Sequence, residues 1–192
     1  MKIFVATHNK HKLEEIGAIL PGIEVIGDNP EGVVEDASDF AGNALIKVRA
    51  IAKRHKGDWS MADDSGLEVA ALGGAPGIHS ARYSGEPTDS ARNNAFLLKN
   101  LEGVEDRRAN FTCVIALVGP DGEEYIAEGK CFGRIEKALA GNGGFGYDPL
   151  FVPDGERETF AELGAEKKNV ISHRARALAE AKKIITKGKP AV

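Results

Sequence analysis

Asp63 and Asp64 stand side by side in MADDSGLEV, residues 61–69. Two adjacent carboxylates repel by roughly 1 kcal/mol in water and by several times that in a drier site. A surface turn solvates both groups and absorbs the cost. A cleft cannot, unless a cation, a lysine or a shared proton relieves it. Glu35, in VVEDAS, is a third carboxylate of the kind that ligates a hard cation when others lie near. Alone, it and Asp36 would serve to stabilise the start of the next helix.

Two basic, hydroxyl-bearing stretches could face such a carboxylate group. THNKHK, residues 7–12, leaves a strand and enters a helix, the place where open α/β proteins bind ligands and where helix amides favour anions. Thr7 and Asn9 offer hydrogen bonds, while Lys10 and Lys12 offer charge. A polar helix cap with solvated lysines is the plainer reading. SHRARA, residues 172–177, opens the last helix with Ser172 as its cap. His173 and Arg174 there oppose the helix dipole by a few tenths of a kcal/mol, so an anion or an acceptor-rich ligand would explain them.

GNGGFG, residues 141–146, satisfies the G-x-G-x-x-G pattern, and Glu166 follows about 20 residues later. It fails as a dinucleotide fingerprint because it runs into Tyr147, Asp148 and Pro149 and then the strand-like LFV, not into a helix. What survives is a flexible loop carrying Phe145, Tyr147 and Asp148.

The elements that must position these residues alternate between strand and helix. KIFVAT (2–7) reads as a buried strand, His11 to Leu20 as a helix stopped by Pro21 and Gly22, and IEVIG as a second strand. Ser38 is a good cap for a longer helix reaching about His55, with Phe40, Ala44, Leu45, Val48, Ile51 and Ala52 as its apolar stripe. Trp59–Ala62 and Leu67–Ala71 read as short strands on either side of the aspartate pair. A glycine-rich loop and a helix from about Asp89 to Leu101 come next. ANFTCVIALV, the turn GPDG and EEYIAEGKCF form a long hairpin. The final helix points Ala175, Leu178, Ala181, Ile184 and Ile185 inward, and KGKPAV is expected to fray. No repeat or linker interrupts residues 1–192, so one mixed α/β domain with two lobes is expected.

Composition excludes several classes. The 192 residues are 42% hydrophobic and 28% charged, ordinary for one globular domain. A formal net charge of −4 argues against a nucleic-acid or membrane-surface binder. It leaves room for a local basic pocket around Lys167, Lys168, Arg174 and Arg176. Cys113 and Cys131 sit in strand-like segments and are read as buried thiols, since they match no zinc spacing or disulfide framework. The apolar stretch in MKIFVATHNK is too short for a signal-peptide core and no run reaches membrane-span length, so the cytoplasm is the expected compartment.

A basic loop, an acidic cluster, an aromatic on a glycine loop and Lys/His/Arg groups together suit a nucleoside triphosphate with Mg²⁺. Five segments carry a resemblance: T-x-N-x-x-K at 7–12, ADDSGL at 62–67, GGAPGIHSARYSG at 73–85, GGFGYDPLF at 143–151 and SHRARAL at 172–178. In this order they resemble the inosine/xanthosine triphosphate pyrophosphatases, which act on non-standard purine nucleotides, and they cover almost the whole chain.

The resemblance implies a two-lobed α/β fold with a long mixed sheet, a substrate cleft between lobes, a homodimer and Mg²⁺ dependence. It implies hydrolysis of the α–β phosphoanhydride of ITP, dITP or XTP to a monophosphate and pyrophosphate. Carried onto this chain, Thr7, His8, Asn9, Lys10, His11 and Lys12 would hold the triphosphate. Glu35 and Asp64 would hold Mg²⁺, with Asp63 open as an alternative ligand, and Asp64 would accept the proton of the attacking water. Ser65, Phe145, Gly146, Tyr147, Asp148, Lys168, His173 and Arg174 would contact the nucleotide, and Lys47 is a further phosphate candidate by position. Donors from Lys168, His173 and Arg174 would read a 6-oxo purine edge, and Phe145 would stack on the base. Three other readings stay open: a pyrophosphatase for other modified nucleotides, a non-catalytic nucleotide sensor, and an oxidoreductase resting on GNGGFG alone.

Overall fold

The computed structural model describes residues 1–187, so most of the expected frayed tail lies outside the described residues. Six strands form one mixed sheet in the order β2-β1-β3-β4-β5-β6. They are β1 (Lys2–Ala6), β2 (Glu24–Asp28), β3 (Trp59–Val69), β4 (Arg108–Val118), β5 (Glu124–Ile135) and β6 (Phe151–Pro153). Among the described residues five α-helices accompany them: α1 (Lys10–Ile19), α2 (Phe40–Ala52), α3 (Ser90–Asn100), α4 (Phe160–Ile171) and α5 (His173–Lys187). β1 runs parallel to both β2 and β3, with Lys2 opposite Glu24 and Ile3 opposite Trp59. β6 runs antiparallel to β5, with Gly133 opposite Pro153. The expected α/β class is what the chain adopts.

The chain divides into two compact units. The first takes Met1–Asp64, Cys113–Gly129 and the segment from Arg174 onward. Its central strands β1 and β3 pack on both faces, and period-two alternation sends successive side chains to opposite sides. Ile3, Val5, Trp59 and Met61 pack with Ile16 and Leu20 of α1 and with Ala177, Leu178, Ala181 and Ile185 of α5. Ala6 and Ala62 point the other way, onto Ala44, Val48 and Ile51 of α2. The second unit takes Ser65–Thr112 and Lys130–His173. Its core gathers Leu67, Val69, Leu97, Phe111, Cys131, Tyr147, Phe151 and Phe160.

Two expectations need correction. The aspartate pair does not sit between two short strands: β3 is continuous over eleven residues and carries both carboxylates inside it. The cap of α2 is Asp39, not Ser38, with Asp39 Oδ1 accepting from the Gly42 amide at 2.7 Å. Helix α4 has no counterpart among the expected elements. Thr159 and Glu162 form a reciprocal capping box at its start, but Gly164 at φ 78° breaks the helical periodicity inside it. The glycine-rich stretch after β3 contains two 3-10 turns, at Ala70–Leu72 and Gly77–Arg82.

Candidate functional site

Alternation along β3 places Asp63 and Asp64 on opposite faces of the sheet. Asp63 lies on the α1 and α5 side and is 2% exposed. Both of its oxygens lie 3.0 Å from Lys12 Nζ, and Oδ2 lies 3.1 Å from Arg174 Nη2. Arg174, itself buried, also donates to Glu15 of α1. Two carboxylates therefore meet two cations on this face. Burial alone would raise the Asp63 pKa, but Lys12, Arg174 and Lys47 outweigh it and hold the carboxyl well below its usual range. The same carboxylates hold the Arg174 guanidinium charged against its burial.

Asp64 faces α2. Lys47 Nζ donates to Asp64 Oδ1 at 3.3 Å and to Glu35 Oε2 at 2.9 Å, and Asn43 Nδ2 donates to Asp64 Oδ2 at 3.2 Å. Asn43 and Lys47 are one helical turn apart, which sets both on the face of α2 that meets the sheet. Here two carboxylates share one ammonium. Burial would discharge Lys47, but Asp64, Asp63 and Glu35 hold its pKa above the usual value. Burial also raises the Asp64 pKa, and Lys47 and Lys12 offset this only in part, with Glu35 pushing the same way as burial. The lysine sees three carboxylates while the aspartate shares one lysine with Glu35, so its charge stays under-neutralised. With side-chain exposures of 13% for Asp64 and 40% for Glu35, the pair is reachable from solvent.

The THNKHK loop folds as a helix cap. Thr7 Oγ1 accepts from the Asn9 amide at 3.1 Å, and Asn9 Oδ1 accepts from the amides of His11 and Lys12 at 3.0 and 3.3 Å. This spends two first-turn donors of α1 on the chain itself and turns Lys12 toward Asp63. His8, Lys10 and His11 are exposed, and His11 pairs loosely with Glu14 at 3.9 Å.

A second cluster forms within the second unit. Asp148, 2% exposed, accepts at Oδ2 from Lys168 Nζ at 2.7 Å and from the Phe145 amide at 2.8 Å. The Lys168 ammonium also sits 4.4 Å from the centroid of the Phe145 ring, so one carboxylate fixes both the loop and the cation over it. The Tyr147 hydroxyl donates to the Ser80 carbonyl at 2.7 Å, and Asn94 Nδ2 donates to the Gly146 carbonyl at 3.0 Å. His173 stacks on Phe111 with centroids 4.7 Å apart and rings 13° from parallel. Ser65 follows Asp64 directly and begins this unit. GNGGFG lies between β5 and β6, and the next helix begins only at Phe160, so it has no dinucleotide-motif context.

Sequence reasoning missed the residues that hold these groups: Glu15, Asn43, Ser80, Asn94 and Phe111. Two had a readable signal. Glu15 lies one turn after Lys12 on α1, and Asn43 lies one turn before Lys47 on α2, polar within an apolar stripe. The others act through the tertiary fold and left no local trace.

Among the described residues, no group of three or more His, Cys, Asp or Glu side chains could by itself hold a metal ion. The donors of Glu35 and Asp64 are hard carboxylate oxygens that already converge on one cation, Lys47 Nζ. That set suits an ion which takes one or two carboxylates and draws its other ligands from water and substrate phosphates.

A family model described as the Ham1 family matches residues 3–184. The chain belongs to the Ham1 family. Two relatives align over nearly their full length. A dITP/XTP pyrophosphatase of Desulforamulus reducens is 50% identical over 97% of this chain and 96% of its own. One of Leifsonia xyli is 48% identical over 93% and 92%. Among solved structures, the Ham1 protein of Staphylococcus aureus superposes with a TM-score of 0.88 at 40% identity, covering 98% of this chain and 100% of that one. The nucleoside-triphosphatase / dITP/XTP pyrophosphatase of Mycobacterium abscessus gives 0.74 at 47% identity, over 94% and 98%.

Proposed function

We propose that this Ham1-family chain hydrolyses ITP, dITP and XTP at the α–β phosphoanhydride, removing them from the nucleotide pool before they enter DNA or RNA. The names of its full-length relatives support the substrate class. The observation that carries the chemistry is the charge difference across β3: Asp63 is matched by Lys12 and Arg174, whereas Asp64 and Glu35 share Lys47. A further cation belongs on the Asp64 side.

In this reading Glu35 and Asp64 hold Mg²⁺, which when bound neutralises charge on the phosphate oxygens. Thr7 to Lys12 and Lys47 hold the triphosphate, with the lysines stabilising the departing pyrophosphate. A water oxygen attacks the α-phosphorus, and the bond from that phosphorus to the bridging oxygen breaks. The electron pair leaves with pyrophosphate, and the water proton passes toward Asp64. A metal-bound Asp64 is a weak base, so much of its work is to orient the water. Lys168, His173 and Arg174 offer donors to a 6-oxo purine edge, and a five-donor guanidinium can do this while keeping its carboxylates. Ser65, Gly146, Tyr147 and Asp148 line or support the base site, and Phe145 supplies a face for the ring.

A homodimer belongs to the same proposal and rests on the family resemblance, and the cytoplasm is kept as the compartment the sequence leads one to expect. No helix among the described residues is long and apolar enough to cross a membrane. The test is product identification. dITP with Mg²⁺ should yield dIMP and pyrophosphate, GTP should yield little, and chelation by EDTA should stop the reaction. dIDP and phosphate would place the cleavage at the wrong bond.

A further inference from the structure

The carboxamide of Asn43 reaches two different parts of the first unit at once. Its Oδ1 accepts from the Ala37 backbone amide at 3.0 Å, and its Nδ2 donates to Asp64 Oδ2 at 3.2 Å. The chemistry fixes this orientation, since an N–H needs an acceptor and a carboxylate needs a donor. Asn43 is 2% exposed, so its carboxamide is the buried end of two part-buried hydrogen bonds.

Ala37 belongs to the segment between β2 and α2 that carries Glu35 two residues earlier. That segment lies close against the first turn of α2: a Cβ at Gly42 would meet the Ala37 Cβ at 2.6 Å. Glycine there lets the Ala37 amide reach Asn43. One turn further along α2, Lys47 binds Glu35 and the other oxygen of Asp64. Asp64 is thus gripped at Oδ2 by a neutral donor and at Oδ1 by a charged one, both from one face of one helix.

We infer that Asn43 is a positioning residue: its side chain ties the Glu35 segment to Asp64, fixing the spacing of the two carboxylates and the rotation of Asp64. This rests on the proposed reading in which those carboxylates serve the reaction. Asparagine is the side chain of this length that supplies one acceptor and one donor. Aspartate would keep the bond from Ala37 but set a second carboxylate against Asp64, and leucine of similar size would lose both bonds.

The experiment compares wild type, Asn43→Ala, Asn43→Asp and Asp64→Asn. It measures kcat and KM for dITP at saturating Mg²⁺, the Mg²⁺ concentration for half activity, and hydrogen exchange at the Ala37 amide by NMR. Wild-type turnover with an inactive Asp64→Asn establishes the underlying reading first, and its absence is a failure of that reading and not of this one. Given that turnover, Asn43→Ala should lose about 10–100-fold in kcat with KM within a few-fold, the scale seen when a partner of a metal-bound carboxylate is removed. Ala37 exchange should accelerate by at least about tenfold in Asn43→Ala and stay slow in Asn43→Asp, which should lose kcat all the same. A kcat within threefold of wild type in both Asn43 variants overturns the inference. So does a loss of kcat in Asn43→Ala with Ala37 exchange and Mg²⁺ requirement unchanged, since Asn43 would then tie nothing together.

Discussion

Arg174 Nη2 lies 3.1 Å from Asp63 Oδ2, with each side chain 2% exposed, although 111 residues of chain separate them. Removing Asp63 leaves Glu15 to answer both cations, Lys12 and Arg174, and breaking a buried pair in this way costs about 3–5 kcal/mol. Asp63→Asn should therefore lower stability by that order in urea unfolding at neutral pH. It should also change the acid response. The folded pKa of Asp63 is held below the unfolded value of about 3.9, so its stabilisation is complete above that value and drains away as the pH falls toward the folded pKa. Wild type should lose more stability than Asp63→Asn as the pH is lowered from about 5 to about 2.5, and parallel curves would contradict the assignment.

Asp64 should behave in the opposite sense. Burial and Glu35 raise its folded pKa, so its charge penalises the folded state above that pKa and the penalty vanishes below the unfolded one. Asp64→Asn should leave stability at neutral pH within about 1 kcal/mol of wild type, or raise it, while Lys47 keeps Glu35. Pyrophosphate release should fall by about 10²-fold or more. A variant several kcal/mol less stable would mean that Asp64 belongs to the scaffold.

In the loop that carries Phe145, one oxygen, Asp148 Oδ2, accepts from both the Phe145 amide and Lys168. Asp148→Ala removes the acceptor of both the Phe145 amide and Lys168, charge-assisted bonds worth about 1.5–3 kcal/mol each. KM for dITP should rise by about tenfold or more, with a smaller change in kcat. Gly144→Ala should act alike, because a Cβ there collides with Asp148 Oδ2 and the backbone stands at φ +71°. Unchanged KM in both variants would remove the loop from substrate binding.

Both cysteines are buried, and burial pushes the Cys113 thiol up to about 12. A thiol held protonated and out of solvent is a poor nucleophile. A colorimetric thiol reagent at about pH 8 should find almost no reactive thiol in the folded protein and both in denaturant. Fast labelling of Cys113 without denaturant would show that this part of the core opens readily.

The opening of the fold was legible because its signals are local. The apolar run of β1, the cap and periodicity of α1 and the turn between β4 and β5 are each written within about a dozen residues. The middle of β3 was not. Two aspartates weaken any strand reading, and what holds Asp63 there comes from Lys12, 51 residues away, and Arg174, 111 residues away, while Asp64 is held by Asn43 and Lys47 of α2. Helix α4 had its capping box on the page, and Gly164 hid it by breaking the repeat. At the candidate site, the chemically active residue types could be read from the chain, whereas the residues that hold them could not. Phe111 under His173 and Ser80 beneath Tyr147 are assigned only by folding.

The first unit is assembled from three stretches of chain, the last beginning at Arg174, and this sets the order in which a ribosome can complete it. When β3 emerges, Asp63 has Lys12 but not Arg174, and the apolar side of the sheet lacks Ala177, Leu178, Ala181 and Ile185. At about 5–20 residues per second, the missing 111 residues take roughly 6–22 s to appear. Throughout that interval the nascent chain carries an unfinished core beside a half-neutralised carboxylate. The last helix made is the one that closes both, so a stall in translation before Arg174 would leave the first unit the more dependent on chaperones.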